Sequence, residues 1–149
     1  MTRSLKSGAV IPVLLMLPNV IWALLPRVSV GSAVSIPLSL AIAQHVARAV
    51  VLVLPCFLAI QLSKRYSTLI VTGMSVALAI YYVAWARYFV GNGAVSLLSA
   101  PLLGIPSPLL LSPIAFLLLS SYLLDSRWML ISAVVFGTLH VWVAALSNS

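Results

Sequence analysis

The chain has 149 residues, of which 63% are hydrophobic and 6% charged, and eight lysines and arginines stand against a single acid, for a net charge of +7. A soluble domain carries about a quarter charged residues, so this composition excludes a water-covered globular surface and indicates that lipid surrounds most of the chain. The basic residues stand singly at the ends of apolar runs, which argues against nucleic-acid binding and favours topogenic charges that contact anionic lipid headgroups.

The first predicted span covers residues 8–25 and follows the basic residues Arg3 and Lys6. Its apolar stretch is longer than the core of a secretory signal peptide and is interrupted by prolines, so we expect it to remain in the protein as a signal anchor. The alternative is a cleaved signal peptide, with the small residues at 31–33 as the cleavage site.

The second predicted span covers residues 38–62 and carries the polar side chains Gln44, His45 and Arg48. It exceeds the ~20 residues that cross a bilayer, so we expect its beginning to tilt or to project from the membrane. A short basic turn separates it from the third span, residues 68–89, which ends in a run of aromatic residues.

The connection that follows the third span is apolar but short. Gly91-Asn92-Gly93 is expected to end the helix, because glycine and asparagine break regular structure. Residues 94–105 contain two more helix-breaking residues and are too few for a full crossing. We expect a short interfacial or re-entrant element there.

The fourth and fifth spans are predicted over residues 108–124 and 128–146. Ser107 followed by a proline has the pattern of an N-cap with proline at the first helical position. In the tight connection between the two spans, Asp125 is the candidate cap of the fifth helix.

These elements predict an all-α fold: a polytopic membrane protein forming one domain over residues 1–149, with five transmembrane helices in a bundle. Bends are expected at four prolines, Pro12, Pro18, Pro55 and Pro113. Five basic residues fall on the side of the N-terminus, namely Arg3, Lys6, Lys64, Arg65 and Arg127. Only Arg27 and Arg87 fall on the other side, so the positive-inside rule predicts a multi-pass inner (plasma) membrane protein with a cytoplasmic N-terminus and an external C-terminus.

With that orientation, four helices carry polar or aromatic side chains at a similar depth in the outer half of the membrane. The candidate ligand-binding residues are Asn19, Gln44, His45, Arg48, Tyr81, Trp85, Tyr88 and His140. Interfacial aromatic belts and hydrogen bonds between helices are the alternative explanation. His140 also shares a helix face with Ala133, Gly137 and Ala144, a small-residue pattern typical of close helix packing.

Arg48 is the residue that packing explains least. The one acid, Asp125, is predicted at the opposite face, so no intramolecular salt bridge is available to this guanidinium. Charged side chains at such depth face the bundle interior and find a partner, or reach the lipid headgroups by snorkelling. The planar guanidinium suits a phosphate or a carboxylate, so an anionic lipid, solute or partner subunit is the predicted ligand.

The residue inventory disfavours several reaction classes. One acid cannot supply paired-carboxylate chemistry, a Ser-His-Asp triad would need Asp125 beside a distant histidine, and the chain lacks a convincing zinc-ligand set. We therefore expect a non-enzymatic binding or accessory membrane protein, in a homo-oligomer or larger membrane complex, with no cofactor and no nucleic-acid partner. A small oligomeric transporter or channel is the alternative, and a b-type haem held by His45 and His140 is a minor one.

Overall fold

A computed structural model describes residues 7–24, 36–91, 93–94 and 96–147, without the side chains of residues 98 and 99. The helices in these ranges account for all regular elements of more than one residue, and Leu102 and Ile105 form an isolated β-bridge. The helices are α1 (Val10–Leu24), α2 (Leu38–Val53), α3 (Ser67–Val90), α4 (Ser96–Ser99), α5 (Pro108–Leu123) and α6 (Arg127–Ser147). The predictions made for Arg3, Lys6, Arg27, Asn92 and residues 31–33 lie outside the described residues.

Three helices are long and apolar enough to cross a membrane: Leu38–Phe57, Ser67–Val90 and Arg127–Ser147. The other two apolar helices, α1 and α5, have 15 and 16 residues. At 1.5 Å per residue they are about 23 Å long, which is less than the hydrocarbon core of a typical bilayer. Large apolar side chains such as Leu17, Val76 and Val134 are exposed on the outer faces of the helices, as expected of a protein whose solvent is lipid.

The second helix is shorter than the sequence predicted. α2 ends at Val53 and continues as a single 3-10 turn through Phe57, because Pro55 has no backbone N–H for the next α-helical hydrogen bond. The chain then leaves the helix, and the N–H of Gln61 donates to the carbonyl of Leu123 at 2.8 Å. Residues 58–62, predicted to be helical, therefore form a connection held against the end of α5.

Capping at the starts of α5 and α6 differs from the prediction. α5 begins at Pro108 as predicted, but Ser107 has a left-handed backbone with φ of 47° and makes no side-chain capping hydrogen bond. The predicted cap of α6 is wrong: Ser126 accepts the N–H of Met129 with its hydroxyl. Asp125, with φ of 50°, instead forms an ion pair with Lys64.

The bundle is organised around α5, which packs between α3 and α6, while α2 packs on α6. Close approach of α5 and α6 depends on Gly137, where a Cβ would lie 2.9 Å from the side chain of Ile114. The fully buried core includes Leu117 and Met129 from these same two helices. α1 contacts α2, α3 and α5 only sparsely, which leaves room beside it.

The connection after α3 contains the single turn α4, which contacts both α3 and α5. α3 ends at Val90, directly before the predicted Gly91 break. After α4 the chain makes a tight turn in which Leu103 and Gly104 have positive φ values. The guanidinium of Arg87 donates to the carbonyl of Pro101 at 3.2 Å, which ties this connection to the end of α3.

Candidate functional site

A cavity of about 540 Å³ lies between α1, α2, α3, α5 and α6, within the size range of small-molecule sites. Most of its wall is apolar: Leu15, Met16, Ala23, Val51, Leu52, Leu109, Leu110, Pro113, Leu117, Phe136 and Ala144. The remaining lining residues carry polar atoms: Asn19, Trp22, Arg48, Tyr81, Trp85, Ser107 and His140. No lining side chain is acidic, so the cavity has a positive electrostatic character.

Arg48 reaches the cavity from the middle of α2 and is half-buried. Its guanidinium makes no hydrogen bond or ion pair with any residue in the described ranges. Asp125 cannot serve it, because that carboxylate is exposed and is paired with Lys64 at the opposite end of the bundle. A cation in an apolar wall is costly unless it is paired, and the described residues supply no such pair for Arg48.

Behind Arg48, one helical turn earlier, Gln44 joins α2 to α6. The side chain of Gln44 is buried, and its amide nitrogen lies 2.7 Å from Nδ1 of His140. An amide nitrogen only donates, so Nδ1 accepts and the neutral imidazole carries its hydrogen on Nε2. The ring stacks on Phe136 with a centroid distance of 5.1 Å. This bond and this stacking together fix the imidazole where it lines the cavity.

The ring of Trp85 lines the cavity from α3. Its side chain is only 8% exposed, and its indole Nε1 is inaccessible to water and makes no hydrogen bond of standard geometry with the residues that the structure describes. The ring is held edge-on by Tyr81 and Tyr88 and is stacked on Phe89. A buried N–H without an acceptor is destabilising by about 1–3 kcal/mol, and such groups are rare in native proteins.

α1 is attached to α3 by hydrogen bonds to polar groups that the sequence of α1 leaves without a helical partner. Pro18 has no N–H, so the carbonyl of Leu14 loses its helical partner, and Tyr82 donates its hydroxyl to that oxygen at 2.6 Å. The amide of Asn19 donates to the Tyr81 hydroxyl at 2.7 Å. Two adjacent tyrosines thus satisfy polar groups of a proline-containing helix that water could not reach in a membrane.

Five of the eight candidate residues line one cavity, namely Asn19, Arg48, Tyr81, Trp85 and His140. Two others lie behind it: Gln44 binds His140, and Tyr88 accepts the indole hydrogen of Trp22 at 3.1 Å. The interhelical hydrogen bonds anticipated as an alternative explanation are therefore present as well.

His45 is the exception, because it is exposed and does not line the cavity. Consecutive helical residues point about 100° apart, so when Gln44 faces inward His45 faces outward. The two histidines are not brought together at the cavity, which removes the geometric basis for a haem between them. Within the described part of the chain, no group of three or more His, Cys, Asp or Glu side chains could hold a metal ion.

The sequence reasoning did not identify Ser107 and Phe136 as lining residues. Phe136 precedes His140 by four residues, so helical spacing could have placed it beside the histidine. Ser107 carried no such signal, because only the packing of α5 against α3 and α6 brings the start of α5 to the cavity.

Comparisons with models of protein families, with curated proteins and with solved structures find no match to this chain.

Proposed function

We propose that the chain is a five-span inner-membrane protein that binds an anionic ligand in this cavity and acts as a binding or accessory protein rather than as an enzyme. The observation that carries the proposal is Arg48, a half-buried guanidinium that lines a cavity of about 540 Å³ with no carboxylate within it.

The chemistry of arginine supports an oxyanion as the ligand. The guanidinium stays charged under all physiological conditions and presents paired donors to a carboxylate or a phosphate. Arg87, by contrast, donates to the carbonyl of Pro101, so this protein does supply a backbone acceptor to an arginine elsewhere. The lack of one at Arg48 is consistent with a position kept for a ligand.

The charge distribution supports the orientation. Lys64 and Arg65 lie in the turn before α3, and Arg127 is the first residue of α6. The positive-inside rule would place the end of the bundle that carries them in the cytoplasm. α1 and α5 would cross the membrane with help from flanking residues or local thinning. The cavity would then lie in the outer half of the bilayer.

Substitution of Arg48 tests the proposal. Full-length protein is reconstituted in nanodiscs with a total anionic lipid extract, and ligand retained after washing is measured by native mass spectrometry. We expect Arg48→Ala to reduce retention by about 10- to 100-fold, the usual worth of a charged hydrogen bond. Arg48→Lys should also reduce it, by several-fold, because an ammonium lacks the planar fork.

Arg65→Ala is the matched control, since Arg65 is exposed and contacts only the ring of Tyr66 in the described structure. Its retention should equal that of the unmodified protein. Full retention in Arg48→Lys would indicate that the side chain merely snorkels to headgroups and would overturn the proposal. Solute flux through liposomes that Arg48→Ala abolishes would replace the accessory role by transport.

A further inference from the structure

We infer that the ligand is an anionic amphiphile, an oxyanion joined to one long hydrocarbon chain. This inference rests on the proposed function, because it names the ligand class of the same cavity. Two features of the cavity besides Arg48 carry it: the imidazole N–H of His140 and the apolar wall.

Arg48 and His140 point to a head that accepts several hydrogen bonds. The bond from Gln44 places the remaining imidazole hydrogen of His140 on Nε2, a ring atom with no hydrogen-bond partner among the described residues. Arg48 from α2 and His140 from α6 line the same cavity. A carboxylate or phosphate head can accept from both, whereas a hydroxyl head brings one oxygen and no charge.

The rest of the lining points to a hydrocarbon chain. Leucines 15, 52, 109, 110 and 117 contribute to the wall, together with Val51 and Phe136. A small hydrated anion would leave these side chains against water, while a hydrocarbon chain removes apolar surface from water at about 25 cal/mol per Å². The volume of about 540 Å³ lies in the range of sites for drug-sized molecules, which favours one chain over a two-chain phospholipid.

Four probes separate head from chain: palmitate, hexadecyl phosphate, hexadecanol and inorganic phosphate. Each is titrated against full-length protein in phosphatidylcholine nanodiscs, and binding is followed by native mass spectrometry. We expect palmitate and hexadecyl phosphate to bind. Hexadecanol should bind at least about ten-fold more weakly because it has no charge for Arg48, and inorganic phosphate should not saturate the site in the same concentration range.

The outcomes distinguish the inference from the proposed function. If inorganic phosphate binds as tightly as hexadecyl phosphate and Arg48→Ala abolishes both, the anion site stands and the amphiphile inference is wrong. Equal binding of palmitate and hexadecanol also overturns the inference. If no probe binds and Arg48→Ala leaves the retention of native ligand unchanged, both proposals fail.

Discussion

The two ends of the helical bundle treat their charges in opposite ways. At one end, which we call the Lys64 end, the ammonium of Lys64 meets the carboxylate of Asp125, the one acid of the chain. At the cavity end, Arg48 lines a cavity and meets no acid among the described residues. The one charged pair at the Lys64 end is therefore completed within the chain, whereas the described residues leave the guanidinium of Arg48 unpaired.

The packing follows the same division. At the Lys64 end, the N–H of Gly8 donates to the carbonyl of Leu58 at 2.8 Å, and the chain runs directly against Pro55 and Leu124. Further along, α1 is attached to α3 by the hydroxyls of Tyr81 and Tyr82, which donate to the carbonyls of Leu15 and Leu14. The difference teaches that backbone contacts hold the start of α1, whereas side-chain hydrogen bonds hold its middle.

The largest effect on stability is expected at the Lys64 end, where Gly8 packs against the backbone. A Cβ on Gly8 would overlap the backbone oxygen of Pro55 and lie 2.8 Å from the side chain of Leu124. Because the backbone must shift, Gly8→Ala should lower the free energy of unfolding by about 2–3 kcal/mol, measured by denaturant titration in detergent with tryptophan fluorescence.

Gly73→Ala is the matched control for that substitution. Its added methyl would meet only the flexible end of Leu119 at 3.1 Å, and alanine is favoured over glycine inside a helix by about 1 kcal/mol. We expect a free energy of unfolding within ~1 kcal/mol of the unmodified protein. Equal losses in the two variants would show that the backbone contacts of Gly8 are no tighter than the side-chain contact of Gly73.

A smaller effect on stability is expected where α1 is hydrogen-bonded to α3. Tyr82→Phe removes the donor to the carbonyl of Leu14 and should destabilise the protein by about 1 kcal/mol. In a Pro18→Ala background the new N–H can take that carbonyl, so the same tyrosine substitution should have less effect. A double-mutant cycle measures the coupling, and strict additivity would contradict the link between Pro18 and Tyr82.

The smallest effect is expected at the ion pair. The side chain of Asp125 is 62% exposed, and exposed pairs contribute about 0.2–1 kcal/mol. Asp125→Asn keeps a residue that tolerates the positive φ of this position, so its loss of stability should stay below ~1 kcal/mol and vanish at high salt. A larger, salt-independent loss would show that the pair organises this end of the bundle.

The membrane character and the positions of the helices could be predicted from the sequence, because apolar runs, prolines and basic turns act locally. The predicted start of α5 at Pro108 and the break after Val90 are confirmed. The end of α2 was placed too late, since an apolar run does not show where a chain stops being helical. The sequence did not show that Ser126 rather than Asp125 caps α6, because that choice depends on the ion pair of Asp125 with Lys64, which lies far away in the chain.

The sequence by itself determined that Asp125 is the one acidic side chain available to Arg48, and the predicted spans placed it toward the other end of the bundle. Tertiary structure alone decided which neighbours share the cavity of Arg48. Depth along a helix follows from counting residues, but direction around the helix depends on the packing of its partners. That is why Gln44 faces His140 while His45 is exposed, and why a wall of leucines lines the same cavity as the arginine.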